Sequence, residues 1–308
     1  VSTALVAAGA AAGCILLGSN PALASTVRQR EWWLTELSVS HAWPVSRGAG
    51  VTVAVLSDGV DANQRDLVGD VTDGPDFTNS GQSSGPYFGQ VGTALASLIA
   101  GHGHGATGFR GIAGVAPEAR IMSLRVTLDP GDPLLANPAT AAALPGAIAA
   151  GIRYAVAHGA TVIDLPLDPG QPGPTGTPGA LAAAGGSPAE QSAVEYALRQ
   201  NVVLVAPAGD DGTSTDAPNY PAAYQGVISV GAFNQEFIKA PFSSGQPYVT
   251  LTAAGSDIVA ASPTGYQTVS STSAASAIVA GVAALIRSRY PGLSVAQVTQ
   301  ALISGTVY

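Results

Sequence analysis

The 308-residue chain switches repeatedly between short apolar runs and longer Ala-rich stretches. Val51-Thr52-Val53-Ala54-Val55-Leu56 is β-branched and largely apolar, the pattern of a strand buried on both faces. Ala119 to Val126, Thr161 to Leu165, Val202 to Ala206, Val227 to Gly231 and Tyr248 to Ala253 repeat it. Between them, Val91 to Gly101, Pro145 to His158 and Pro188 to Gln200 read as helices, two of them followed by a glycine and two opened by a proline. A fourth helix starts at Ser273 and a last one covers Ser294 to Ile303. Glu31 to Trp43 reads as a short amphipathic lead-in, with Trp32, Trp33 and Trp43 packing it onto the body of the protein. Asp73 to Gln90 and Pro169 to Ser187 are rich in Gly, Ser or Pro and read as loops. Strands alternating with helices predict an α/β fold with a mostly parallel central sheet covered on both faces. No repeat and no second domain is evident.

Composition narrows the function classes. Apolar residues make 46% of the chain and charged ones only 10%, so a large core is expected and long disordered tails are not. The net charge of −8 argues against nucleic acid as a partner, which needs a basic footprint. Cys14 is the single cysteine, so neither an intrachain disulfide nor a thiolate metal site is expected. Ala4 to Gly18 is almost continuously apolar and short for a membrane span. Ala22-Leu23-Ala24 then offers small residues at the positions a signal peptidase reads. Residues 1–24 are expected to be a signal peptide and 25–308 a single exported domain, although no Lys or Arg precedes the apolar run. Two alternatives stand beside that reading: lipidation at Cys14 within Ala12-Gly13-Cys14, and an uncleaved anchor.

The candidate chemistry lies around Ser270-Ser271-Thr272-Ser273-Ala274-Ala275-Ser276-Ala277, where a polar loop feeds an apolar helix. A serine at such a junction sits near unpaired backbone N–H groups and the positive end of the helix dipole, which suits a nucleophile whose substrate develops negative charge. On this stretch alone, the simpler expectation is that Ser273 is the N-cap of the helix. A second polar turn, Ser57-Asp58-Gly59-Val60-Asp61, ends the first strand on the edge where parallel sheets collect ligands.

The order of these motifs resembles the subtilisin-like serine proteases, with mycosin-type members of actinobacteria the nearest in pattern. Val53 to Asp61 matches the strand that carries the family's catalytic aspartate, and Val91-Gly92-Thr93 with Ala96 to Gly101 matches the helix that opens with His-Gly-Thr. Ala208-Gly209-Asp210-Asp211 matches the oxyanion block Ala-Gly-Asn-Asp, and Ser271 to Ala277 matches the nucleophile block Gly-Thr-Ser-Met-Ala-Thr/Ser-Pro. Gly111 to Pro117, His158 to Ile163 and Tyr220-Pro221-Ala222 also fit, so the resemblance runs from about Trp32 to the C-terminus. It implies a three-layer subtilisin-like fold.

The same positions depart from the family's chemistry. Ser273 falls on the nucleophile, but Val91 stands at the histidine and Ser57 at the aspartate. Asp210 stands at the asparagine that donates to the oxyanion, and an ionised carboxylate only accepts hydrogen bonds. The substrate-pairing segment, Ser-Leu-Gly in relatives, follows Leu165 here as Pro166-Leu167-Asp168. Asp58, one residue past the aspartate position, is a candidate substitute acid. His102 and His104 are expected in an exposed loop, His158 at a helix end and His41 ahead of the core. No third ligand accompanies His102 and His104, so neither a metal nor any other cofactor is implied. The resemblance thus implies a non-cleaving protease homologue that binds a polypeptide or a secretion-system protein, secreted or held in the envelope. Membrane association is expected only if the N-terminal segment is retained or lipidated, since the C-terminal anchor of mycosins is not present in this sequence. The alternative is an endopeptidase acting through Ser273 with rearranged acid–base groups.

Overall fold

The computed structural model describes residues 27–106, 108–167 and 186–305. The proposed signal peptide, Asp168 and most of the Pro169 to Ser187 loop lie outside these residues.

Seven strands form one parallel sheet. They are β1 (Thr52–Ser57), β2 (Val71–Asp76), β5 (Arg120–Arg125), β6 (Val162–Asp164), β7 (Val203–Pro207), β8 (Ile228–Phe233) and β9 (Leu251–Ala254). Their order across the sheet is β2-β5-β1-β6-β7-β8-β9, every pairing parallel. Two antiparallel hairpins stand apart from it: β3 (His102–His104) with β4 (Arg110–Ala113), and β10 (Ile258–Ser262) with β11 (Gly265–Val269). The helices are α1 (Trp32–Glu36), α2 (Val39–Ala42), α3 (Gln90–Ala100), α4 (Pro138–Ala157), α5 (Pro188–Arg199), α6 (Thr272–Arg289) and α7 (Val295–Ser304).

Strand β1 shows why the sheet is sandwiched. Val53 and Val55 join the core beneath α3 and α6, while Ala54 and Leu56 join a second core beneath α4 and α5. All four are fully buried, as the two-residue period of a strand requires when both faces are covered. Helix α4 is long and apolar enough to span a membrane, yet Leu144, Ala147, Ile148 and Ile152 are buried, the last three in the second core, which accounts for that composition. It begins seven residues before the expected Pro145, because Asn137 caps it through Ala139 N (2.9 Å) with Pro138 in its first turn. Pro145 lies inside it. The Asp73–Gln90 segment also differs from expectation, its first residues completing edge strand β2.

Candidate active site

Strands β1, β6 and β7 end side by side, at the point where the chain's strand order turns from one side of β1 to the other. The C-terminal ends of these strands, the start of α3 and the start of α6 form the candidate site.

Asp58 closes the start of α3. Gly59, at φ +104°, turns the chain sharply after β1, and a Cβ there would meet the Phe88 ring at 2.6 Å. The turn brings the Asp58 carboxylate under the helix, where Oδ2 accepts from Val91 N (3.1 Å) and Oδ1 from Gly92 N (2.8 Å). Helix α3 has no local side-chain cap, since its N-cap residue is Gly89, so Asp58 supplies one from a distance. Asp58 is buried, and that burial pushes its carboxyl up to about 6 despite the two amide hydrogen bonds. Ser57 is also buried and its hydroxyl donates to Gly59 O (3.3 Å). It faces the helix closely: a Cβ on Gly92 would lie 2.1 Å from Ser57 Oγ and 1.9 Å from Gly59 O. Val91 packs, partly buried, against the core.

At the start of α6, the cap is Ser271 rather than Ser273, correcting the simpler sequence expectation. Ser271 Oγ accepts from Ala274 N (3.1 Å). Ser273 lies one position inside the helix and is buried. Asp210, at the end of the turn after β7, reaches across to this helix. Its Oδ1 accepts from Thr272 N (2.7 Å) and from the Thr272 hydroxyl (2.8 Å), while Gly209 N donates to Thr272 Oγ1 (3.2 Å). A carboxylate therefore occupies the positive end of α6. One turn further on, the Ser276 hydroxyl donates to Asp164 Oδ1 (2.8 Å) at the end of β6. Asp164 is fully buried, its Oδ2 has no hydrogen-bond partner, and burial pushes it up to about 7.

The segment after β6 is turned inward. Leu165 N donates to Val205 O (2.9 Å) and Leu167 N to Leu165 O (2.6 Å), while Pro166 has no N–H to give. Leu167 O accepts from the Asn219 side chain (3.2 Å), which also holds Pro207 O (2.8 Å). Leu165, Pro166 and Leu167 are all buried. Two of the three backbone amide positions are thus used internally and the third is missing.

The histidines lie elsewhere. His102 and His104 are not in an exposed loop, as the sequence suggested, but on half-buried β3 beyond the far end of α3, roughly 15 Å or more along its axis from Val91. A ring nitrogen of His104 meets Asp66 Oδ1 at 2.6 Å, and those of His102 meet Gly103 O (2.6 Å) and Val68 O (3.2 Å). His158 ends α4, stacked on Tyr154 at 3.7 Å, and His41 is exposed on α2. Among the described residues no group of three or more His, Cys, Asp or Glu side chains is arranged to hold a metal ion.

The model of the subtilase family matches residues 48–306, most of the chain. This chain is a member of the subtilase family. It is 35% identical to thermitase of Thermoactinomyces vulgaris over 285 residues, 90% of each protein, and 32% identical to subtilisin DY of Bacillus licheniformis over 84% of each. Among solved structures it is similar to the MycP3 protease from the type VII (ESX-3) secretion system, with TM-score 0.67, 30% identity and coverage of 88% and 80%. MycP1 from Mycobacterium smegmatis gives TM-score 0.69 at 25% identity, covering 93% of this chain and 79% of that one. In a subtilase the serine is activated by a histidine and the histidine is oriented by an aspartate. Sequence reasoning assigned these positions to Ser273, Val91 and Ser57 but missed the contacts at the two helix starts, because Asp58 and Val91, like Asp210 and Thr272, meet only in the fold.

Proposed function

We propose that this subtilase is an exported binding protein that does not hydrolyse peptide bonds. One observation carries the reading: Asp210 Oδ1 accepts from both the Thr272 amide and its hydroxyl, directly before Ser273. A working site needs donors aimed at a developing oxyanion, and here an acceptor fills that place. Val91 offers no proton acceptor to Ser273, and an unactivated serine is a weak nucleophile at neutral pH. In subtilisin, a relative of this chain and the source of both magnitudes, losing one oxyanion donor costs roughly 3–4 kcal/mol and losing the histidine costs about a millionfold in turnover. The inward turn of Leu165 to Leu167 supports the same reading, since a substrate strand would find few free amides there.

The proposal extends to setting. Residues 1–24 serve as a signal peptide and 25–308 as the exported domain, in the cell envelope or outside it. The likeness to MycP proteins supports a polypeptide partner within a type VII secretion system. N-terminal sequencing of exported protein should give Ser25; a lipid-modified Cys14 or an intact N-terminus would replace that reading. Hydrolysis of unstructured casein decides the catalytic part. Wild type and Ser273→Ala should be indistinguishable. Cleavage abolished by Ser273→Ala would establish the alternative, an endopeptidase with rearranged partners, with Asp58 as its first candidate acid.

A further inference from the structure

His102 and His104 stand two residues apart on β3 and serve no part of the candidate active site. Both reach the turn that leads into β2. His104 Nδ1 meets Asp66 Oδ1 (2.6 Å), and Asp66 is fully buried, its Oδ2 accepting from Ile112 N (2.9 Å). His102 meets the same turn further along. Its Nδ1 lies 2.6 Å from Gly103 O, and its Nε2 lies 3.2 Å from Val68 O and 3.9 Å from Asp70 Oδ2. The backbone joins the two segments as well, His102 N donating to Asp66 O (2.9 Å).

The two rings make different demands on their protons. A carbonyl or an ionised carboxylate only accepts, so a ring nitrogen facing one must carry hydrogen. His104 has one such contact, which a neutral ring with its hydrogen on Nδ1 satisfies. His102 has acceptors at both nitrogens, and a neutral imidazole carries a single N–H. The protonated ring alone serves both. In the neutral ring the hydrogen stays on Nδ1, where the contact is shorter, and the Nε2 lone pair is left facing Val68 O. The stretch on that side has room to respond. Val68 is 56% exposed, and Gly69 sits at φ +96° where a Cβ would meet nothing within 4 Å.

The charged and titratable groups around His102 come from four elements. Arg65, Asp66 and Asp70 belong to the turn, and His104 pairs with Arg110 across the hairpin. From the N-terminal segment, Arg28 donates to Gly108 O (3.0 Å), and Glu31 accepts from the amide of Ala113, the residue paired with His102 (2.6 Å). Tyr266 of β11 lies near Arg65 and Asp66. Burial pushes Glu31 up to about 8, so a His102 variant is needed to separate the two groups.

We propose that His102 is a proton-operated clip, in which the protonated ring ties Val68 to β3 and the neutral ring lets it go. The direction follows from the hydrogen bonds themselves, since the second N–H exists only on the charged ring. Release is confined to residues 67–70. On one side, the His102 amide and His104 hold Asp66 in both states. On the other, Asp70 O accepts from Ile121 N (2.8 Å).

Hydrogen exchange of the folded protein tests this at the amides of Leu67 and Asp70, which donate to Gln64 O (2.9 Å) and Leu67 O (3.1 Å). After correction for intrinsic exchange, their protection should fall between about pH 5.5 and about pH 8, across the range in which imidazoles titrate. The fall should be about tenfold greater in wild type than in His102→Gln, the scale of one hydrogen bond to a charged donor. His104→Gln should keep the wild-type fall. Equal falls in wild type and His102→Gln would overturn the clip, and so would a fall that disappears in His104→Gln instead. If His102→Gln does not fold, nitrogen NMR of the His102 ring in wild-type protein at about pH 8 decides. Hydrogen on Nδ1 supports the proposal, and hydrogen on Nε2 overturns it.

Discussion

The starts of α3 and α6 are built from similar parts, yet they solve the helix-end problem differently. Each must satisfy N–H groups that the helix leaves unpaired, and each draws a carboxylate from the turn after a parallel strand. At α3 the local sequence offers only Gly89, so Asp58 alone satisfies two amides from a buried position. At α6, Ser271 already caps the helix, and Asp210 adds to it from a half-buried one. Asp58 is therefore the cap of the helix it serves, whereas Asp210 supplements a cap that Ser271 already makes. One helix start depends on a distant carboxylate, and the other holds one against Thr272, the residue before Ser273.

That difference can be broken or sharpened by substitution. The largest effect is expected below α6, at Asp164. Its pKa of about 7 in the fold, against 3.8, means the folded state holds the proton more tightly, so stability is greatest at low pH and falls as pH rises. Wild type should lose about 4 kcal/mol from this group between pH 4 and pH 8, and Asp164→Asn should remove that loss in urea titrations at both pH values. Asp58 comes next and has the same sign. Its rise to about 6 corresponds to about 3 kcal/mol lost between pH 4 and pH 7, and Asp58→Asn should flatten that part of the profile. A wild-type stability that rises across this range would contradict both assignments. Asp210→Asn should be mildest, at about 1 kcal/mol or less, because Asn keeps an acceptor for Thr272 N and Ser271 stays in place. A larger cost would make Asp210 a structural group like Asp58 and end the contrast.

Much of the fold was legible because β1 and its parallel neighbours are buried on both faces, which leaves unbroken runs such as Val53-Ala54-Val55-Leu56. The start of α4 was not. Asn137-Pro138 and Pro145 carry similar start signals, and only packing against the sheet and α5 shows that the helix runs through the second proline. Strands β2, β3 and β11 are short and partly polar, without the alternation that marks a strand in sequence. In the site, Val91 and Ser57 could be read directly within their motif blocks. The new partners could not. Asp58 bonds amides 33 and 34 residues away, Asp210 a residue 62 away, and His104 a carboxylate 38 residues back.

The contrast also refines how chemistry could be restored. Adding Ser57→Asp beside a fully buried Asp58 would place two carboxylates together, and one would stay protonated. Moving the carboxylate, by Ser57→Asp with Asp58→Ser, avoids this and should be combined with Val91→His and Asp210→Asn. Triad members act as a unit, so Val91→His alone should do little.

The central claim is that Ser273 is present but unactivated, and a fluorophosphonate probe reads that property without needing a substrate. Labelling of wild-type protein at neutral pH should be no faster than that of Ser273→Ala, while the fourfold variant should gain labelling that Ser273→Ala removes. Rapid labelling of the wild type that disappears in Ser273→Ala would contradict the account and show that a base reaches Ser273 after all.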